Sequence, residues 1–223
     1  MMSSQQLLEQ RLESGSEAIS LRSLVPSYNE RAFIAGRTGS GKTTLTEFIL
    51  RHYQYVVVFD TKGLIRWQGF EKHTEIATLV RSSHSHLVYS PRWEEFKDKA
   101  TVEGFFEWVY RRGNTYLYVD EGMSILDIHR MPEFYEAIYF RGRELGTGVI
   151  TSSQRPTELP QVILSEAEHF YIFQLQLPQD LNKIEGILGK YLPEVRTHEF
   201  VYFNKVNPDI EPVKYKLQLQ GGI

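Results

Sequence analysis

The run Gly36-Arg37-Thr38-Gly39-Ser40-Gly41-Lys42-Thr43, followed by Thr44, satisfies G-x-x-x-x-G-K-[ST] at every fixed position. It lies between the apolar run Ala32-Phe33-Ile34-Ala35 and the helix-forming run from Thr44 to Arg51. That is the strand, loop and helix context a phosphate-binding loop requires. Three glycines let the backbone fold tightly, so that successive N–H groups and the N-terminus of the following helix face the phosphates of a nucleotide. Lys42 then reaches the β- and γ-phosphates, and the Thr43 hydroxyl binds Mg²⁺. A loop of this kind commits the chain to an α/β fold with a mainly parallel sheet.

The chain's 223 residues, 41% of them hydrophobic, suffice for one substantial core rather than two. The expected division is an N-terminal helix and connector over 1–28 and a P-loop domain over 29–223, with terminal strands from about 198. There are no cysteines, which excludes disulfides and Cys-based zinc sites. No apolar run approaches a membrane span, and the N-terminus lacks a basic segment followed by an apolar one, so a soluble, cytoplasmic protein is expected. A formal charge of −3 argues against a wholly basic nucleic-acid coat and leaves room for a local basic lining.

Residues 3–14 place Leu7, Leu8 and Leu12 on one side of an expected amphipathic helix. The continuous apolar run Tyr55 to Asp60 reads as a strand covered on both faces, hence as part of a parallel sheet. A helix over 74–81, a strand over 86–90 and a helix over 101–112 follow, the last with Phe105, Phe106, Val109 and Tyr110 as a core stripe. His84 and His86 form H-x-H in a Ser-rich stretch without an acidic or Cys companion, which is a solvated loop rather than a metal site. Residues 178–189 suggest a helix, and 199–203 with 212–217 suggest a terminal β-hairpin.

Two further stretches bear on chemistry. Thr115 to Asp120 reads as a strand, and Asp120-Glu121 at its end gives a Walker B pattern. Asp120 would hold Mg²⁺ through water, and Glu121 would polarise the attacking water. Downstream, Arg141-Gly142-Arg143 leads through Gly146 and Gly148 into a strand ending Ser153-Gln154-Arg155-Pro156. This would set Gln154 beside the acids, within reach of the γ-phosphate or the water.

With Asp60-Thr61-Lys62-Gly63 after the second strand, these signatures resemble the FtsK/HerA superfamily of P-loop DNA translocases over roughly residues 30 to 190. The resemblance implies a RecA/ASCE-like fold and ATP with Mg²⁺. It further implies a ring, a hexamer by family habit, through which double-stranded DNA passes. It makes Gln154 a sensor-like residue and Arg141, Arg143 and Arg155 candidates for an arginine finger, with local ion pairs as their ordinary alternative. The segment Gly122 to Met131, with His129 and Arg130, is the candidate pore-facing loop. Brevity makes the chain most similar to the genome-packaging ATPases of internal-membrane icosahedral viruses and phages. A capsid or portal-vertex protein is then the expected partner, in host cytoplasm or on the virion.

A stand-alone plasmid or DNA-repair translocase and a nucleotide-dependent switch are the other readings. A GTPase would use Asp60-Thr61-Lys62-Gly63 as D-x-x-G and Asn204-Lys205-Val206-Asn207 as a guanine reader, but Asn207 lacks the carboxylate that accepts the guanine N–H groups. A small-molecule kinase has no use for Asp120-Glu121 together with Gln154-Arg155-Pro156.

Overall fold

The computed structural model describes residues 12–14, 24–126, 130–207, 209 and 211–217. Its strands are β1 (Leu12–Ser14), β2 (Arg31–Ala35), β3 (Val56–Asp60), β4 (Glu71–His73), β5 (His86–Tyr89), β6 (Tyr116–Asp120), β7 (Gly148–Ser153), β8 (His169–Phe173), β9 (Glu199–Asn204) and β10 (Val213–Leu217). The helices are α1 (Lys42–Leu50), α2 (Ile76–Leu79), α3 (Trp93–Lys97), α4 (Lys99–Arg112), α5 (Glu133–Arg141), α6 (Gln161–Ser165) and α7 (Pro178–Leu188). All strands join one sheet in the order β1-β10-β9-β8-β2-β7-β6-β3-β5-β4. The seven strands from β8 to β4 run parallel, whereas β9, β10 and β1 add antiparallel at one edge.

The missing alternation in β3 has a direct cause. Val56 and Val58 pack on one face of the sheet with Leu45 and Ile49 of α1, while Val57 and Phe59 pack on the other with Phe105 and Phe106 of α4. Each face is covered, so every position is apolar. The stripe on α4 is core, as expected: Phe59 meets Phe105 and Phe106 with ring centroids 4.8 and 5.6 Å apart. Helices α5, α6 and α7 extend this layer through Tyr135, Ile138, Ile163 and Ile184.

The terminal hairpin forms as expected. The helix expected over 3–14 is corrected at its end: 12–14 form a strand, with Leu12 opposite Leu217, and 1–11 lie outside the described residues. The free edge of β10 offers unpaired backbone groups, and pairing there overrides the helical spacing of the leucines. No helix among the described residues is long and apolar enough to cross a membrane.

At the lower edge of the sheet, Glu30 Oε2 lies 2.8 Å from His169 Nε2 and accepts from Ser27 N at 2.5 Å. The hydrogen bond with His169 holds the carboxyl at about 2, down from 4.5, against the opposing effect of burial. A depressed carboxyl pKa stabilises the fold fully above its ordinary value, and this contribution is lost as pH falls from about 4.5 toward 2. Glu30→Gln is therefore expected to flatten the acid side of the stability curve. Thermal unfolding midpoints measured across that window should fall more for the wild type than for the variant, and parallel curves would remove the pair from the account.

Candidate functional site

The phosphate loop leaves β2 at Ala35 and enters α1 at Lys42. Glycine is required where the loop is most crowded. A Cβ on Gly36 would lie 2.5 Å from Phe173 Cβ, and one on Gly41, at φ +110°, would lie 2.6 Å from Leu217 Cδ1. Arg37 N donates to Gln174 O at 2.9 Å, so the end of β8 holds the loop. The Lys42 ammonium is buried and donates to Gly36 O at 2.6 Å and to Arg37 O at 3.2 Å. Burial lowers its pKa, opposed by the charges of Glu121 and Asp120. Thr43 is exposed at the first turn of α1, and Thr44 is half-buried.

Strand β7 lies between β2 and β6, so its end separates the loop from the two acids. Gln154 bridges that gap. It accepts from Thr38 Oγ1 at 2.8 Å and donates through Nε2 to Glu121 Oε1 at 2.8 Å. Glu121 is buried, with φ +51°, and the same oxygen lies 3.7 Å from Lys42 Nζ and 3.3 Å from Lys62 Nζ. Beside it, Asp120 Oδ1 accepts from the Tyr118 hydroxyl at 2.7 Å and from Ser152 Oγ at 3.1 Å. Burial raises the Asp120 carboxyl, with Tyr118 acting against it. The expected set thus comes together: Thr38, Lys42, Asp120, Glu121 and Gln154 line one end of the sheet, at the carboxyl ends of parallel strands.

Lys62, Ser152 and Tyr118 belong to the same cluster, and sequence reasoning gave them no role. Lys62 had a visible signal in the motif Asp60-Thr61-Lys62-Gly63, and the in-register pairing of Asp60 with Asp120 is what brings it to the acids. Asp60 itself is occupied elsewhere: it accepts from Ile65 N at 2.9 Å and Ser90 Oγ at 2.8 Å, with Lys72 Nζ at 3.2 Å. Asn204, at the end of β9, pairs with His169 at the start of β8, the edge of the sheet away from the loop. That separation removes the guanine-reading alternative.

The three candidate arginines are placed differently. Arg155 follows Gln154, and its Nε donates to the fully buried Asp180 at 3.1 Å, with Nη1 3.0 Å from Glu158. Arg143 bonds the buried Glu168, which also pairs with Arg31. Arg141, at the end of α5, is exposed and has the exposed Glu144 at 3.6 Å. In the candidate pore loop, Gly122–Ser124 form a single 3-10 turn and Arg130 is exposed. His129 lies outside the described residues. His84 is exposed, with Nδ1 2.9 Å from His86 O, as a solvated loop would have it, whereas His86 opens β5 and is half-buried, with Nε2 3.1 Å from Tyr53 O.

The cluster fits a magnesium nucleotide. The buried Ser40 hydroxyl in the loop lacks a partner among the described residues, and Thr43 with Asp120 offers the hard oxygen donors that Mg²⁺ takes alongside substrate phosphates.

The family model described as ABC transporter matches residues 23–161, which run from the strand before the loop past Gln154. The DNA packaging ATPase P9 of Enterobacteria phage PRD1 is 28% identical over 169 residues, spanning 74% of this chain and 72% of P9. Among solved structures, the genome packaging NTPase B204 from Sulfolobus turreted icosahedral virus 2, in complex with ATP-gammaS, superposes with a TM-score of 0.69. It is 18% identical and the match covers 84% of this chain and 98% of B204. The pCW3 conjugation coupling protein TcpA, with ATPgS, superposes at a TM-score of 0.57 and 13% identity, over 85% of this chain and 60% of TcpA.

Proposed function

The chain belongs to the P-loop ATPase family that the ABC transporter model describes, and from that premise we propose that it is an ATP-hydrolysing motor driving double-stranded DNA into a viral shell. The observation that carries this reading is the bridge made by Gln154, which ties the phosphate loop through Thr38 to the acid Glu121. An ATPase that does mechanical work must link the state of its γ-phosphate to a movable element, and Gln154 touches both partners. The similarity to P9, itself a DNA packaging ATPase, supports DNA as the cargo.

In this reading the loop N–H groups beyond Arg37, as far as Thr44, hold the triphosphate, those of Gly36 and Arg37 being engaged by Ser153 O and Gln174 O, and Lys42 neutralises charge at the β- and γ-phosphates. Thr43 and Asp120 would hold Mg²⁺, which neutralises charge on the phosphate oxygens. Glu121 takes a proton from the water that attacks the γ-phosphorus, and Gln154 orients that water while keeping Glu121 in place. Gln154 and Lys62 fix the carboxylate, so its position does not depend on the exposed solvent.

The active assembly is a ring, a hexamer by family habit, with each nucleotide at a subunit boundary. Arg143 and Arg155 are held by buried carboxylates. Arg141 is therefore our assignment for the arginine that reaches the neighbour's nucleotide. DNA phosphates are gripped in the centre by the segment Gly122 to Met131, with contacts that carry no sequence information. A capsid-vertex protein would dock the ring in the infected cell's cytoplasm.

Steady-state hydrolysis of ATP and GTP over a range of protein concentration, with and without double-stranded DNA, tests the proposal. ATP turnover should rise with DNA and with concentration, and Arg141→Ala should remove the concentration-dependent part. Turnover independent of both would describe a monomeric enzyme and end the motor reading.

A further inference from the structure

The catalytic groups all stand to one side of the phosphate loop. In sheet order, β7 with Gln154 and β6 with Asp120 and Glu121 flank β2 on one side, and β8, β9 and β10 flank it on the other. The γ-phosphate must meet Glu121 and Gln154. The nucleoside, at the opposite end of the triphosphate, is thereby directed toward the other side.

What the chain places there is not inert. Gln174 follows β8 and accepts from Arg37 N at 2.9 Å, and Thr197 Oγ1 accepts from Arg37 Nη2 at 3.0 Å. His198, at φ +63°, accepts through its backbone oxygen from Leu217 N at 2.8 Å. Leu217 in turn is the residue a Cβ on Gly41 would strike. The loop is thus ringed on this side by residues far apart in sequence. Five buried side-chain polar atoms lack a partner among the described residues, and three belong to this region: Ser40 Oγ, Gln174 Oε1 and His198 Nδ1. Buried polar groups are nearly always paired, so such a concentration beside a ligand loop marks where ligand atoms complete the pairing. Ser40 belongs to the phosphate loop itself. Gln174 and His198 lie beyond it, on the nucleoside's side.

We propose that Gln174 and His198 form the base subsite of this ATPase, with the Gln174 side-chain carbonyl accepting from the 6-amino group of adenine. The proposal rests on the ATPase reading above and assigns the selectivity of the same site. An unpaired acceptor suits adenine, which offers an amino donor where guanine offers a carbonyl oxygen.

The test compares ATP and GTP hydrolysis by the wild type, Gln174→Leu and His198→Ala, with inorganic tripolyphosphate as an inhibitor that has no nucleoside. The wild type should favour ATP by about tenfold or more in kcat/KM, as a site that hydrogen-bonds its substrate does. In Gln174→Leu that preference should fall to about twofold or less through a raised KM for ATP with kcat little changed, because the lost contact binds ground and transition states alike. His198→Ala should raise the KM for both nucleotides. Inhibition by tripolyphosphate should be the same in all three proteins. An unchanged ATP preference in Gln174→Leu overturns the proposal, and so does loss of tripolyphosphate inhibition in both variants, since the residues would then be holding the loop. A wild type that neither turns over ATP nor binds tripolyphosphate would instead overturn the ATPase reading.

Discussion

Glu121→Gln is expected to bind ATP at least as tightly as the wild type and to hydrolyse it about 10³-fold more slowly, within the range a positioned general base contributes. The substitution keeps the size of the side chain and leaves an amide oxygen to accept from Gln154 Nε2, 2.8 Å away in the wild type. It removes the base that takes the proton from water. It also removes the negative charge that faces Lys42 at 3.7 Å and Lys62 at 3.3 Å, leaving both ammonium groups to the phosphates. Tight binding with slow chemistry is the consequence. Single-turnover hydrolysis beside a fluorescent nucleotide titration measures both quantities. Normal turnover in this variant would place the water-activating group elsewhere.

Lys42→Ala should lower kcat/KM for ATP by about 10³-fold, the scale expected when a charge-stabilising group is removed from a buried site. The ammonium is held by two loop carbonyls, from Gly36 and Arg37, at the centre of the ring of N–H groups. Lys62 does not replace it in the wild type, because it is engaged with the Glu121 carboxylate at 3.3 Å and is not held by the loop carbonyls. Lys42→Arg should recover little, because a planar guanidinium does not fit a space enclosed by the loop backbone. Steady-state kinetics with the alanine and arginine variants check this. Activity of the alanine variant within tenfold of the wild type would mean that the loop does not hold the triphosphate.

Sequence and structure agree where local rules govern. The loop required a strand before it and a helix after it, and the unbroken apolar run at 55–60 required a sheet covered on both faces. What could not be read along the chain is what distant residues do together. Gln154 is expected beside the acids, but its bond to Thr38 depends on β7 lying between β2 and β6, and strand order is a property of long-range pairing. Arg155 could be read either as an arginine finger or as half of an ion pair, and a carboxylate 25 residues later binds it. Lys62 read as part of a turn because its partner, Glu121, follows a strand distant in sequence. At the N-terminal edge, leucine spacing suggested a helix, whereas 12–14 form a strand because β10 provides a hydrogen-bonding edge.

The most direct test of the motor itself is ATP-driven displacement of a third DNA strand. A triplex-forming oligonucleotide is annealed to linear double-stranded DNA, the purified protein is added with ATP, and release is followed by the fluorescence of the displaced strand. The account predicts release that requires hydrolysis: it occurs with ATP, and it is absent with a non-hydrolysable analogue and with Glu121→Gln. DNA-stimulated hydrolysis without any release would show that the energy of ATP does not move this protein along DNA, and it would contradict the account.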